Sequence, residues 1–251
     1  MPVPPSIRKS IRAIRTFVAP GGAKDSNDLS PFHLTHALFR DPERIVFDPE
    51  TLDAVLALAP EIEAYRGKGS QTIFKHFNTY LRGLVLFAES AAPRSSPRAD
   101  LFPETTDPSK SDGELPYWVE RLSEYFFERV RGKRVRSNLA ARMRFDAWLT
   151  LGDLARFRRR PEHLSLAFET AADKRSSEEE REGAVEFLVS YWADDDPDEA
   201  TVNLLEDLRE NPPSRSFLVG VLQAQIELGL NDELDALLDV EDWDDAEDEE
   251  D

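Results

Sequence analysis

Cysteine is absent from this chain of 251 residues, which excludes disulfides, thiolate nucleophiles and sulfur-based zinc sites and fits a reducing compartment. Long apolar runs are missing too: no stretch approaches the roughly 18 residues that a membrane span needs, and no charged-then-apolar leader precedes a cleavage site. A soluble, cytoplasmic protein is the expectation. Strand-like alternation is nearly absent, as are a nucleophile elbow, a glycine-rich dinucleotide loop and an HExxH element. Histidine is scarce, with four residues. His33 and His36 lie three apart on a predicted helix and His76 could be recruited beside them, yet no Glu-x-x-His element completes a metal site. Carboxylates abound, but their number alone identifies no acid–base pair. No catalytic residue, metal or cofactor is therefore expected, and no small-molecule substrate is identified.

Basic residues are scarce in one half only. Residues 1–160 carry 26 Lys and Arg against 20 Asp and Glu, whereas residues 161–251 carry 5 against 30, giving +6 and −25 and the net −19 of the whole chain. Such polarity suggests a charged partner for one half or contact between the halves. The densest basic feature spans 129–160, with 11 basic residues against Asp146 and Asp153. It includes Arg131, Lys133, Arg134, Arg136, Arg142 and the cluster Arg156, Arg158, Arg159 and Arg160. These are the candidate binding residues, together with Trp243, which is flanked by acids in the segment 240–251 and could anchor in a basic groove. As a block of like charge, 240–251 is expected to be a disordered acidic tail.

The remaining pattern is helical. Ser6 is a plausible N-cap for a helix with Ile7, Ile11, Ile14 and Val18 on one face and Arg8, Lys9, Arg12 and Arg15 on the other. A basic amphipathic helix can lie on an anionic membrane, but a terminal helix packing its isoleucine stripe on the domain is favoured. Ser30 followed by Pro31 predicts a helix through Leu38 that buries Phe32, Leu34, Ala37 and Leu38. Asp48 and Pro49 predict another helix, ending near Arg66-Gly67-Lys68-Gly69. That tetrapeptide reads as a helix end rather than a phosphate loop, because Gly69 separates Lys68 from Ser70. The most apolar helix, 70–89, carries Ile73, Phe77, Leu81, Leu84 and Val85 and is expected to centre the N-terminal core. Residues 91–116 are rich in Pro, Ser, Thr and Asp and read as a linker or long exposed loop.

Beyond the linker, 117–131 predicts a helix burying Trp118, Leu122, Tyr125 and Phe126. Helices follow at 145–157 and 161–173, with 156–160 as the corner between them. Trp148, Leu151 and Gly152 stand in the order W-x2-L-G and precede Phe168 and Ala171. This resembles the signature of the tetratricopeptide repeat, with Ala155 and Leu164 departing from it. Gly152 is expected where the two antiparallel helices come closest. Pro161 to Pro197 is a step of 36 residues. A second apolar set covers 181–213, and a third unit begins at Ser214, so paired-helix repeats of tetratricopeptide or HEAT type are expected. Members of the tetratricopeptide family commonly grip peptides in the groove lined by first helices. The Lys and Asn with which some hold a terminal carboxylate would fall near Leu149 and Asp153, where neither residue matches.

These features define an all-α protein: a helical N-terminal module (1–90), the linker (91–116), a short α-solenoid of antiparallel helix pairs (117–239) and the acidic tail (240–251). The expected role is non-catalytic protein–protein interaction as a scaffold or adaptor, with an acidic segment, or the chain's own tail, as a partner for the basic stretch. The alternative is a nucleic-acid-binding regulator that uses 129–160, with the acidic tail as competitor. If 91–116 is a linker, limited proteolysis of the intact chain cuts first within it, as read by mass spectrometry of the earliest fragments. A first cut elsewhere would remove the module boundary.

Overall fold

The computed structural model describes residues 2–19, 30–91, 116–132 and 138–231. The linker between 92 and 115, Lys133, Arg134, Arg136 and the acidic tail with Trp243 lie outside the described residues. The fold is all-α, and among the described residues there are twelve helices and no strand. They are α1 (Pro5–Val18), α2 (Pro31–Leu38), α3 (Pro42–Val46), α4 (Pro49–Leu56), α5 (Ala59–Ala64), α6 (Ser70–Ala91), α7 (Tyr117–Arg131), α8 (Asn138–Ala155), α9 (Pro161–Ala172), α10 (Glu178–Trp192), α11 (Glu199–Glu210) and α12 (Arg215–Glu227). No helix among them is long and apolar enough to cross a membrane.

Local chemistry accounts for most of these boundaries. Ser30, Ser177, Asp198 and Ser214 each accept a hydrogen bond from the backbone N–H three residues on. At Ser177 the bond is reciprocal, because the Glu180 carboxylate accepts from the Ser177 N–H at 3.2 Å. Ser6, however, is not a cap: α1 begins one residue earlier, with Pro5 in its first turn. Proline's fixed φ suits that position and its missing N–H costs nothing there. The single helix expected after Pro49 is two, α4 and α5, because Pro60 cannot donate to the carbonyl one turn back. Gly69, at φ +80°, takes the left-handed turn that leads into α6.

The N-terminal helices pack as their stripes require. Ile7, Ile11, Ile14 and Val18 of α1 are buried against α2, α4 and α5. Ile73, Phe77, Leu81, Leu84 and Val85 of α6 form the middle of this layer. Phe32 and Ala37 depart from expectation and are exposed, while Leu34, Thr35 and Leu38 face inward. On either side of 92–115 the helices touch: α7 lies on α4 and α6, and α8 lies on α6. One apolar cluster runs from Ile7 to Ala224.

The most intimate contact is between α8 and α10. A Cβ at Gly183 would lie 2.9 Å from the Phe145 Cα and 3.2 Å from the Trp148 Cβ, and one at Gly152 would lie 2.8 Å from the Ser190 Cβ. Contact positions on the two helices rise together, so α8 and α10 run parallel. The close approach at Gly152 is therefore to α10 and not, as the repeat pattern suggested, to α9. Trp148, Leu151 and Phe187 fill the space beside it and are essentially inaccessible. Three side-chain links join residues 36 apart: Arg144 to Glu180, Glu178 to Ser214 and Arg159 to Asp195. Equivalent positions of alternate helices, α8 with α10 and α10 with the start of α12, thus meet with the spacing of the proline step.

Gly183 and Gly220 offer a matched test, since a Cβ at Gly220 meets nothing within 4 Å. Gly183→Ala forces helix backbones apart and is expected to lower stability in urea titrations by about 1–3 kcal/mol. Gly220→Ala is expected to raise it by about 0.5–1 kcal/mol through helix propensity.

Candidate functional site

Among the described residues, the arginines of the predicted basic stretch fall in separate places. At one end of the α7–α8 pair, Arg158 and Arg160 converge on Glu120 at 3.2 and 3.8 Å, and Arg156 donates to Glu89 at 2.9 Å. Arg160 also lies 3.9 Å from Glu162. Arg159 pairs with Asp195 and stacks near the rings of Tyr191 and Trp192. Arg131 and Arg142 are elsewhere. Eleven residues of α7 separate Glu120 from Arg131, a distance of about 16 Å along a helix rising 1.5 Å per residue. Arg131 lies 3.5 Å from Glu128 and Arg142 lies 3.6 Å from Asp146, with the Arg142 guanidinium over the Phe145 ring. Each of these six arginines is already on a carboxylate of this chain.

Two other arginines serve packing. Arg144 is almost fully buried, donating to Glu180 at 2.6 Å and to the Gly132 carbonyl at 2.7 Å. Arg181 donates to the Ala171 carbonyl at 2.8 Å and covers the Phe217 ring, so one side chain joins α9, α10 and α12. Asp153, where the repeat family's peptide-holding Asn would fall, faces Arg82 of α6 at 3.9 Å.

His33, His36 and His76 do gather, each ring centred 5.2–5.9 Å from the ring of Phe32. What gathers them is an exposed aromatic side chain, 43% accessible. Among the described residues no three His, Cys, Asp or Glu side chains converge as a metal ion would require.

A concave feature lies between α8, α10 and α12. It is a cleft of about 340 Å³ lined by Phe145, Glu182, Val185, Glu186, Phe217 and Gly220, among others. Phe217, Val185 and Val221 give it an apolar floor, and Val219 on its wall is 49% exposed. Gly220 leaves the space in front of it open. Glu182 and Glu186 are half-buried, one turn apart on α10. Among the described residues no cation lies within ion-pairing distance of either. Burial, followed by repulsion from Glu178, Glu179 and Glu186, pushes the Glu182 carboxyl above its ordinary range, against a smaller lowering by Arg142. Burial and then Glu227 push Glu186 the same way. A carboxyl whose folded pKa is raised lowers stability as pH rises past the unfolded value, so both cost stability at neutral pH.

Sequence reasoning missed this site because it counted the acidic residues of 161–251 as one block. The available signal was Glu178, Glu182 and Glu186, like charges at four-residue spacing along one helix face. Comparison with family models, with curated proteins and with solved structures finds no match for this chain.

His163 is a further titratable group changed by packing, and it lies outside the cleft. It is 4% exposed and stacks on Phe127 with ring centres 4.5 Å apart. Burial, aided by Arg160 and opposed by Glu162, pulls its pKa from 6.5 down to about 4. Above pH 6.5 the imidazole is neutral in both folded and unfolded chains and contributes no slope. Between 6.5 and about 4 only the unfolded chain takes the proton, so stability falls as pH falls, by about 2–3 kcal/mol across the window. In urea titrations against pH, His163→Phe is expected to flatten that segment of the profile; an unchanged slope would assign it to other groups.

Proposed function

We propose that this chain is a non-catalytic protein-interaction module that works as a scaffold or adaptor. It holds a segment of another protein in the cleft between the first helices of its stacked pairs, α8, α10 and α12. The observation carrying this is an apolar-floored cleft walled by an exposed valine and an unobstructed glycine, with two carboxylates that no described cation of the chain neutralises. Half-buried carboxylates are costlier to keep charged than exposed ones, and a ligand that brings a cation to them offsets that cost. The resemblance of Trp148, Leu151 and Gly152 to the tetratricopeptide signature supports the same placement, because that family's groove is lined by first helices. The nucleic-acid alternative draws less support. It needs basic groups available to phosphates, and Arg156, Arg158, Arg159 and Arg160 are each engaged with a carboxylate.

Gly220→Phe tests the site directly, since its side chain enters the open cleft and not the core. Selection from a random displayed peptide library is expected to yield binders to the full chain that lose at least about tenfold in affinity to Gly220→Phe, with melting temperature maintained. Binders indifferent to that substitution, or none at all, would overturn the proposal.

A further inference from the structure

Resting on the cleft as the binding site, we infer that its occupant is a cationic segment in extended conformation, with Lys or Arg at alternate positions and an apolar residue against Phe217 and Val219. Charge selects the class. Glu182 and Glu186 face the cleft, Glu227 stands beside Glu186, and on the α8 side Arg142 is shared with Asp146 and the Phe145 ring. Glu178, the next carboxylate along the same face, is occupied by the Ser214 hydroxyl. An acidic segment would add charge to groups already opposed by one another. A basic one supplies the counter-charge that Glu186 lacks and that Glu182 receives only weakly from Arg142, in a setting drier than the open surface.

Spacing fits an extended guest. Carboxylates four residues apart on a helix are separated by about 6 Å, close to the 6.6–6.8 Å between alternate, same-face residues of an extended strand. The intervening residues of an extended guest point away from α10, toward solvent, so the cleft reads every second side chain. Its apolar floor then takes the one residue that is not charged.

Four probes test this on the full-length chain by fluorescence anisotropy. They are a labelled nonapeptide with arginine at alternate positions and one central leucine, the same peptide with citrulline for arginine, the same with glutamate, and a stapled helix carrying the arginines at every fourth position. The arginine peptide is expected to bind about tenfold or more tighter than the citrulline peptide, the glutamate peptide not to bind, and the stapled helix to bind more weakly. Glu182→Gln with Glu186→Gln should remove most of that preference without lowering the melting temperature. Glu199→Gln with Glu206→Gln, an equal charge change on exposed positions of α11, should leave it intact. If the α11 pair weakens binding as much as the cleft pair, attraction to the chain's overall −19 charge explains the result and the inference fails. Equal affinity for arginine and citrulline peptides that still respond to Gly220→Phe would sink the charge selection while leaving the cleft as a site. Preference for the stapled helix would sink the extended conformation. If no probe responds to Gly220→Phe, the cleft itself falls.

Discussion

The close parallel contact of α8 and α10 is the constraint from which the C-terminal architecture follows. It exists because Gly152 and Gly183 remove side chains where each helix would otherwise meet the other's backbone or Cβ atoms. It is sealed by Arg144 and Glu180, whose buried pairing satisfies groups that would be costly to strand alone. Glu180 serves twice, since it also closes the capping box that starts α10. The start of one helix and its register against its neighbour therefore depend on the same carboxylate.

Helix positions were largely legible, because caps and apolar spacing are local. Ser30-Pro31, Ser214 and the stripe of α1 each behave as their residue types demand. What failed was decided by partners distant in sequence or by one overlooked residue. Pro60 splits α4 from α5, and Phe32 turns outward to meet three imidazoles. Gly152 was recognised as a contact glycine but assigned to the wrong neighbour, since a single chain cannot tell which helix will arrive at a vacant face.

Charge was legible as a count and illegible as a surface. Dense arginines in 156–160 suggested pairing with the acidic half or tail of the chain or with an acidic partner; their long side chains reach Glu89 and Glu120 in the first half of the chain and Asp195 in the second. Conversely, the acidic half looked uniform in composition while concealing two half-buried glutamates over an apolar floor. A linear tally weighs every carboxylate alike. Packing separates those that have a cation within reach from those that do not.

Arg181 gives that cleft a mechanical property of its own. By fixing α12 to α9 and α10 through one buried guanidinium, with the Ser214 hydroxyl on Glu178 as a second tie, it sets the slot's width before anything enters. A chain entering as proposed would then lose its own freedom without requiring the walls to reorganise. On that reading the slot would act as a gauge, selective by fit, that a guest one side chain too broad would not enter.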